Sequence, residues 1–359
     1  MAELERALLI NEIDTFTAKC ENCGGNMVFN PETQELYCSY CGSNKDFAKS
    51  KEVSEIAISD ALGVVELWEE DNATYRCNNC GAVVIMPSTQ VSTLCPYCST
   101  SHVVKSIDSC GLKPNAVYPF TITSDHAEQK VKEWTKKRFF APNKFKKELS
   151  AENFQGVYEP AFTYDSKTYS TYHGVIGVRK SRTVGSGKNR RTVSYIDWRT
   201  ISGTFYYWFD DVVITASDNK SQQLLDKLLP YDISNIKTYD KTYLSGFIAH
   251  RTEKTVSEGW EDAKGVIDAK LRNLILSRYH YDVVQYLNVN TSHECVTYKY
   301  VLLPTYTFTY PYKNKSYQLY VNGTTGKVVG KTPVSPLKVA LVTLLGIAVI
   351  ALLAYLFTN

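Results

Sequence analysis

KCENCGG at residues 19–25 and LYCSYCG at residues 36–42 recur 57 residues later as RCNNCGA at 76–82 and TLCPYCS at 93–99. Each copy contains two C-x₂-C pairs with 14 residues between them. Two such pairs supply four thiolates that can converge on one tetrahedral Zn²⁺ ion. The pattern therefore predicts two Cys₄ zinc ribbons, each holding a structural Zn²⁺. The predicted ligands are Cys20, Cys23, Cys38, Cys41, Cys77, Cys80, Cys95 and Cys98.

A C-x₂-C pair can also be a redox centre or part of a nucleic-acid-reading finger. A redox centre needs one pair beside a βαβ unit, whereas this chain has four pairs in a matched array. A ribbon that reads nucleic acid presents basic side chains, because phosphate contacts supply most nonspecific affinity. No Lys or Arg occurs within 20–41 or 77–98. The pattern favours closed structural sites, used as an interaction platform or as plain structural modules, and disfavours nucleic acid.

The turn that follows each knuckle needs a residue that tolerates a positive φ. Gly24, Gly42 and Gly81 meet this requirement after the second cysteine of their pairs, and Ser99 does not. Cys110 and Cys295 have no C-x-x-C partner and are predicted to be free buried thiols.

The C-terminal segment VALVTLLGIAVIALLAYLF (339–357) has 19 residues without a charge. A buried core helix would carry polar residues at helical spacing, and only Thr343 and Tyr355 interrupt this run. Its length matches the hydrocarbon core of a bilayer, so we expect a transmembrane helix. Lys331 and Lys338 flank its N-terminal side, which places the bulk of the chain in the cytoplasm by the positive-inside rule. With no secretory signal at the N-terminus, we expect a single-pass, tail-anchored protein of the cell (inner) membrane.

The composition indicates a folded body rich in β-structure. Hydrophobic residues make up 44% of the chain, which contains 26 Tyr and 14 Phe, and aromatic residues suit half-buried strands. Strands are predicted from Tyr158 onward. The stretch 158–174 shares its Pro and alternating aromatic residues with 303–323, which predicts equivalent strands of one sheet or two related halves. The Asn-Gly and Thr-Gly pairs of VNGTTGKVVG (321–330) predict hairpin turns.

Three segments have apolar residues near helical spacing. Residues 49–70 are predicted to be helical and to join the ribbons. A second helix is predicted from Ser124, its expected N-cap, through Phe139, with Ala141-Pro142 ending it. The segment 255–280 is predicted to cover the sheet with one apolar face. That face is expected to contain Trp260, Val266, Ile267, Leu271, Leu274 and Ile275.

These patterns predict an α+β protein with two N-terminal Cys₄ ribbons, a mainly antiparallel β domain with covering helices, and one C-terminal transmembrane helix. The predicted domains are a first ribbon with an N-terminal segment at 1–48, a helical connector at 49–72, a second ribbon at 73–112, an α+β domain rich in aromatic strands at 113–332, and a linker and anchor at 333–359.

Two segments concentrate positive charge in a chain whose formal net charge is only +3. RKSRTVGSGKNRR (179–191) contains six basic residues and no acid among Gly and Ser, and is predicted to be a mobile hairpin tip. The other is a Lys-rich face between residues 130 and 147. Each segment is either a solvated surface or, because the chain is predicted to be tethered to a membrane, a contact for anionic lipid. For 179–191, contact with an acidic partner surface is a further alternative. The lysines of that face are Lys130, Lys132, Lys136, Lys137, Lys144, Lys146 and Lys147.

No constellation of residues points to catalysis. The chain has no G-x-S-x-G, Rossmann, phosphate-loop or helicase motif. The run His293-Glu294-Cys295 places neighbouring side chains on opposite faces of a strand, and Asp210-Asp211 is predicted to be a strand-end turn. We therefore expect no enzyme and no small-molecule substrate.

The paired ribbons stand beside four further segments, VYEPAFTYD (157–165), FDDVVITAS (209–217), YLSGF (243–247) and YKYVLLPTYTFTYPYKNKSYQLYVNGTTGKVVGKTP (298–333). Together they resemble bacterial membrane-anchored zinc-ribbon proteins of the YdjG type, whose sequences are often labelled TFIIB-type zinc ribbon or primosomal protein N′-like. The resemblance covers most of the chain. It departs at Phe162, where the family commonly has Trp, and it carries over no catalytic residue.

The resemblance implies a partner role beside SPFH (flotillin-like) or phage-shock-A-type proteins in envelope stress. The function expected is that of a membrane-anchored adaptor or scaffold that recruits cytoplasmic proteins to the inner membrane surface. The alternative is a membrane-tethered zinc-ribbon protein that binds nucleic acid.

Overall fold

The computed structural model describes residues 18–47, 53–62, 72–78, 82–87, 95, 103–105, 112–147, 154–217, 222–231, 235–312 and 315–358. Over these residues the chain is a mixed α+β protein with two sheets. The first sheet is small and consists of three antiparallel strands near the N-terminus. Its strands, in spatial order, are β1 (Met27–Asn30), β2 (Glu35–Cys38) and β3 (Asn44–Lys45).

The second sheet has 12 strands and forms the body of the protein. Its strands are β4 (Ile56–Ala57), β5 (Asn72–Cys77), β6 (Val83–Pro87), β7 (Val103–Lys105), β8 (Ala116–Val117), β9 (Gln155–Val184), β10 (Arg191–Thr215), β11 (Lys237–Thr238), β12 (Ile248–His250), β13 (Val283–Tyr312), β14 (Lys315–Asn322) and β15 (Val328–Gly330). The main path runs β11-β8-β13-β9-β12-β6-β5-β7. Pairing is antiparallel except for β12 with β9 and β13 with β8.

Three long strands form the centre of this sheet. β9 and β13 have 30 residues each and β10 has 25. β9 pairs with β10 on one side and with β13 on the other, and the β9–β10 hairpin closes at residues 185–190. The basic segment 179–191 therefore occupies the end of this hairpin, as its composition predicted. Of the two segments with similar aromatic spacing, 158–174 lies in β9, and 303–323 covers the end of β13, which pairs with β9, and strand β14 of the same sheet.

The turn between β14 and β15 forms where the sequence predicted it. The side-chain oxygen of Asn322 accepts hydrogen bonds from the backbone N–H groups of Thr324 and Thr325, both at 2.9 Å. Gly326 then adopts a φ of 71°, a conformation that glycine reaches without steric cost. The local sequence is thus sufficient to specify this hairpin.

The helices are α1 (Ser124–Lys136), α2 (Asn143–Lys147), α3 (Gln222–Leu225), α4 (Val256–Leu276) and α5 (Pro336–Thr358). The predicted cap of α1 was wrong by one residue, because Thr123 rather than Ser124 accepts from the N–H of His126. α1 also ends at Lys136, before Phe139. The predicted helix at 49–70 is not found in its described part, residues 53–62, which forms β4 and a 3₁₀ helix at Ile58–Leu62.

Helix α4 covers the long strands, as predicted. Thr255 and Glu258 form a capping box at its start, which satisfies backbone N–H groups of the first turn. Its buried side chains include Ala263, Ile267 and Leu271, which pack against Phe162, Tyr164 and Tyr300 of the sheet. Val266 was assigned to this face by its spacing, but it is exposed.

Candidate metal centre and buried ionic clusters

Four cysteines form a cage in the small sheet. The Sγ atoms of Cys20, Cys23, Cys38 and Cys41 all lie within 4.8 Å of one another, with Cys20–Cys41 and Cys23–Cys38 separations of 3.5 Å. A tetrahedral zinc ion with Zn–S bonds of about 2.3 Å holds its sulfurs roughly 3.8 Å apart. The cage therefore has dimensions suited to one metal ion, and it contains the four ligands that the sequence predicted for the first ribbon.

The backbone of the two knuckles builds this cage in the same way twice. The carbonyl oxygens of Cys20 and Cys38 accept from the N–H groups of Gly24 and Gly42, at 2.8 and 2.9 Å. Gly24 and Gly42 have φ values of 72° and 75°, as the sequence predicted for the turn. The first cysteine of each pair is buried and the second is exposed. Each knuckle thus presents two sulfurs to a common centre.

The surroundings of Cys41 and Cys23 shift the pKa values of their thiols in opposite directions. Hydrogen bonds from the hydroxyl and backbone N–H of Ser43, with contributions from neighbouring sulfurs, lower the pKa of Cys41 to about 6. The backbone N–H of Gly25 also favours the Cys23 thiolate, but hydrogen bonds with Cys38 and Cys41 outweigh it and raise the pKa of Cys23 to about 12. A metal ion bound in the cage would favour the thiolate form of its ligands.

The described part of the predicted second ribbon shares two features with the first. The backbone N–H of Cys77 donates to the carbonyl of Ala82 at 2.9 Å, five residues on, just as Cys20 donates to Gly25. Cys77 and Cys95 are both buried in one cluster, as are their counterparts in the first ribbon. Cys80 and Cys98, together with Gly81 and Cys110, lie outside the described residues.

The second ribbon is continuous with the body rather than appended to it. Its strands β5, β6 and β7 belong to the 12-stranded sheet, because β6 pairs with β12. The register places Ile85 opposite Ala249 and Val84 opposite His250. Sequence reasoning missed this connection, since the pairing residues are more than 160 positions apart.

The first ribbon is held against the body by aromatic contacts and two hydrogen bonds. Phe29 contacts the ring of Tyr243 edge-on at 5.3 Å, and its N–H donates to the carbonyl of Ser245 at 3.0 Å. The side-chain amide of Gln34 donates to the carbonyl of Phe120 at 2.8 Å. Because Phe29 and Phe120 belong to the same buried cluster, this ribbon shares the core of the body.

A buried lysine lies among three carboxylates where β4, β9, β10 and β13 meet. Lys299 Nζ lies 2.9 Å from Asp211 Oδ1, 3.1 Å from Glu55 Oε1 and 3.4 Å from Asp165 Oδ2. Burial opposes the charge of Lys299, but these carboxylates outweigh it and raise its pKa. Burial also raises the pKa of Asp165 to about 6, against the hydrogen bond from the Asp211 N–H. We name Glu55, Asp165, Asp211 and Lys299 the Lys299 cluster.

Asp211 in this cluster and Cys295 on β13 have strained backbones. Asp211 and Cys295 both have a φ of 49°, which is uncommon for residues other than glycine. Each lies at a β-bulge, one between Phe209 and Val212 of β10 and one between Glu294 and Thr297 of β13. Two predictions made from the sequence were therefore wrong. Asp210-Asp211 lies inside strand β10 rather than in a strand-end turn. Cys295 is exposed rather than buried.

A second ionic cluster contains three buried residues, Glu159, Ser217 and His250, and the more accessible Glu253. His250 Nδ1 lies 3.1 Å from Glu159 Oε2 and 3.2 Å from the hydroxyl of Ser217. His250 Nε2 lies 3.7 Å from Glu253 Oε1. Burial opposes protonation of His250, but the hydrogen bond to Glu159 and the nearby negative charge of Glu253 outweigh it and raise its pKa to about 9. Ser217 and Glu159 approach the same imidazole nitrogen, so this is not the geometry of a nucleophilic triad.

The C-terminal helix α5 is long and apolar enough to cross a membrane over Pro336–Phe357. Its residues are exposed from 339 to 357. A chain of 22 residues at 1.5 Å per residue spans about 33 Å, which matches the hydrocarbon core of a bilayer.

The fold and these sites define a protein that joins a cysteine cage and a large mixed sheet to an apolar C-terminal helix. No protein-family model matches the chain, and no solved structure matches it. The uncharacterized protein YdjG of Bacillus subtilis (strain 168) is 31% identical over 328 residues, covering 90% of this chain and 91% of that protein. The chain therefore belongs to the YdjG family, which confirms that part of the resemblance seen in the sequence.

The segments that carried the resemblance supply five residues of the two ionic clusters, while Glu55, His250 and Glu253 lie outside them. VYEPAFTYD contributes Glu159 and Asp165, FDDVVITAS contributes Asp211 and Ser217, and the segment from 298 contributes Lys299. No spacing rule in the sequence identifies these contacts.

Proposed function

We propose that this protein is a membrane-anchored zinc-ribbon adaptor that recruits cytoplasmic partner proteins to the inner membrane surface, with no enzymatic role. Helix α5 would be its single-pass anchor and would leave residues before 338 in the cytoplasm. The Cys20, Cys23, Cys38 and Cys41 cage would hold Zn²⁺, since four thiolates with C-x₂-C spacing suit that ion. Cys77, Cys80, Cys95 and Cys98 would hold the second Zn²⁺.

The observation that carries the adaptor role is an exposed aromatic face on the long strand β10. Ile201 and Phe205 of β10 pack with Ile275 and Leu276 of α4, so the even-numbered neighbours point to the opposite side. On that side Trp198, Tyr206 and Trp208 are exposed, Tyr206 by 70%. Exposed aromatic clusters of this kind are typical of protein-binding surfaces. We name Trp198, Tyr206 and Trp208 the aromatic face.

The neighbouring edge of the sheet also supports partner binding. Among the described strands, β10 pairs only with β9. Its segment TISGTFYYWF (200–209) has no charge and no proline. Natural edge strands usually carry charges or proline that prevent pairing with other chains, so this edge is suited to a partner. Partners of the SPFH or phage-shock-A type, in an envelope-stress complex, are the candidates that the family resemblance suggests.

Affinity capture from detergent-solubilised membranes tests this proposal. We expect the full-length chain to retain specific partner proteins, and the double variant Tyr206→Ser/Trp208→Ser to lose them. The matched control is Tyr40→Ser, which removes another exposed aromatic ring, 79% exposed on the first ribbon. Equal capture by all three chains would contradict a role for the aromatic face.

A second candidate function is nucleic-acid binding at the membrane. It is favoured by the hairpin end, where the guanidinium of Arg182 lies 5.5 Å from the centre of the Tyr195 ring, because basic and aromatic side chains together bind single strands. A gel shift with the full-length protein in detergent discriminates the two functions. Binding through phosphate must weaken steeply with salt, whereas the adaptor proposal expects no shift.

A further inference from the structure

The loop between α1 and α2, residues 137–143, is fastened to the start of α5. Lys338 Nζ donates to the carbonyl oxygens of Phe139 and Ala141, at 3.2 and 2.8 Å, and to Asn143 Oδ1 at 2.8 Å. The N–H of Ser335 donates to the carbonyl of Phe140 at 2.8 Å. These bonds join a loop of the body to the first turn of the apolar helix.

This loop exposes two adjacent phenylalanines. Phe139 is 62% exposed and Phe140 is 40% exposed, and their rings meet edge-on at 5.4 Å. The helix α2 that follows the loop is anchored in the core by contrast, because the buried ring of Phe145 packs edge-on against Tyr310 at 4.9 Å. Leu337, at the start of α5, is also exposed. Apolar side chains therefore extend continuously from the loop onto the helix.

Positive charge surrounds the same loop. Between residues 134 and 147 the chain has six basic residues and no acidic residue. These residues are Lys136, Lys137, Arg138, Lys144, Lys146 and Lys147. Phenylalanine flanked by lysine and arginine is the composition that binds the interface of an anionic bilayer.

We propose that the 137–143 loop binds the anionic bilayer surface beside the anchor, with Phe139 and Phe140 inserted among the lipids and the neighbouring lysines at the phosphates. The inference rests on the proposed anchoring of α5 and adds a second membrane contact, which fixes the orientation of the body. The proposal also distinguishes the lysines near this loop from the second basic segment, at 179–191. The hairpin end at 179–191 lies at the far end of β9 from Phe154, which stacks on Phe308 near this loop.

Photocrosslinking in the full-length protein tests the proposal. The photoreactive residue p-benzoylphenylalanine replaces Phe139 or Phe140 in protein reconstituted into vesicles of phosphatidylcholine with phosphatidylglycerol. We expect a lipid adduct by mass spectrometry from either position. The same residue at Leu345, within α5, reports on the anchor, and at Tyr206 it serves as an exposed control that should give no adduct.

The outcomes distinguish the anchor from the loop. No adduct from Leu345 would overturn the proposed anchor itself. An adduct from Leu345 without one from Phe139 or Phe140 would overturn the loop contact alone, and a crosslinked dimer from those positions would mean that a second copy covers them.

The charge component is tested with Lys144→Glu/Lys147→Glu, which should lower the adduct yield at Phe140 severalfold. Arg190→Glu/Arg191→Glu, at the hairpin end, should leave it unchanged, and equal effects of the two pairs would contradict lipid binding by the lysines.

Discussion

The sulfur of Cys38 is the cage ligand whose removal is easiest to interpret, because it is completely buried at the end of β2. A serine hydroxyl is a poor ligand for zinc compared with a thiolate. We predict that Cys38→Ser lowers the metal content of the purified full-length protein by one ion per chain, as measured by elemental mass spectrometry.

The matched control is Cys295→Ser, since Cys295 is exposed and outside both ribbons. It should leave the metal content unchanged. An unchanged content in Cys38→Ser would mean that the cage holds no metal.

The charge of Lys299 balances three carboxylates that otherwise face one another. Removing one partner of a buried ionic cluster leaves uncompensated charge, at a cost of about 3–5 kcal/mol. We predict a loss of this order in the free energy of unfolding of Lys299→Met, measured with urea in neutral detergent.

The control is Lys264→Met, which removes a lysine from an exposed pair with Glu261. Exposed pairs contribute about 0–1 kcal/mol, so this variant should unfold near the wild-type concentration of urea. A similar loss in both variants would argue against a special role for the Lys299 cluster.

The buried imidazole of His250 makes stability depend on pH. Its pKa is raised to about 9 in the folded protein by Glu159 and Glu253, despite the opposing effect of burial. The stabilisation is therefore complete below about pH 6.5, the ordinary pKa of histidine, and is lost as the pH rises through about 9. Its size is on the order of 3 kcal/mol. We predict that wild type exceeds His250→Gln in stability by more at about pH 6 than at about pH 9. A difference that does not change with pH would rule out a protonated His250.

The cysteine cage of the first ribbon could be predicted from the sequence, and the ionic clusters could not. Metal-ligand spacing in a ribbon is local, so Cys20 and Cys23 reveal their role within four residues. Lys299 and Asp165 are 134 positions apart, and His250 and Glu159 are 91 apart. Their contacts depend on strand register and on two β-bulges, which no local pattern specifies.

Helix α4 contains two glycines whose surroundings predict opposite effects of the same substitution. A Cβ atom on Gly259 would lie 2.4 Å from the Tyr164 hydroxyl and 3.0 Å from Phe162, whereas one on Gly265 meets nothing within 4 Å. Alanine is the better helix former by about 1 kcal/mol. We predict that Gly265→Ala raises the melting temperature and that Gly259→Ala lowers it, because overpacking costs roughly 1–3 kcal/mol. Stabilisation by both substitutions would show that α4 can move away from β9.

Apolar spacing predicted α4 correctly and failed for residues 53–62. In α4 the spacing reflects one face packed on the sheet. In 53–62 the strand β4 forms because Ile56 and Ala57 pair with Tyr298 and Thr297 of β13, so a distant partner overrides the local preference. The lengths of β9 and β13 were equally hidden, since residues such as Pro160 and Gly174 resemble strand ends in sequence but lie inside these strands.

Among the described residues, one segment, Pro336–Phe357, is long and apolar enough to span a bilayer. We predict that deletion of 338–359 moves the protein from the membrane pellet to the soluble fraction after lysis and ultracentrifugation. A chain lacking 179–191 should stay in the pellet. Retention of the 338–359 deletion after a high-salt wash would mean that another lipid contact dominates.

The length of β9 keeps the two positively charged segments in separate electrostatic environments. At about 3.3 Å per residue, a 30-residue strand has a contour of roughly 100 Å, whereas charges in physiological salt are screened over about 8 Å. The lysines beside α5 and the arginines of the hairpin end therefore act independently of each other. Anionic lipid bound by the lysines would not screen the positive charge of the arginines. Both segments can therefore bind anionic groups at the same time.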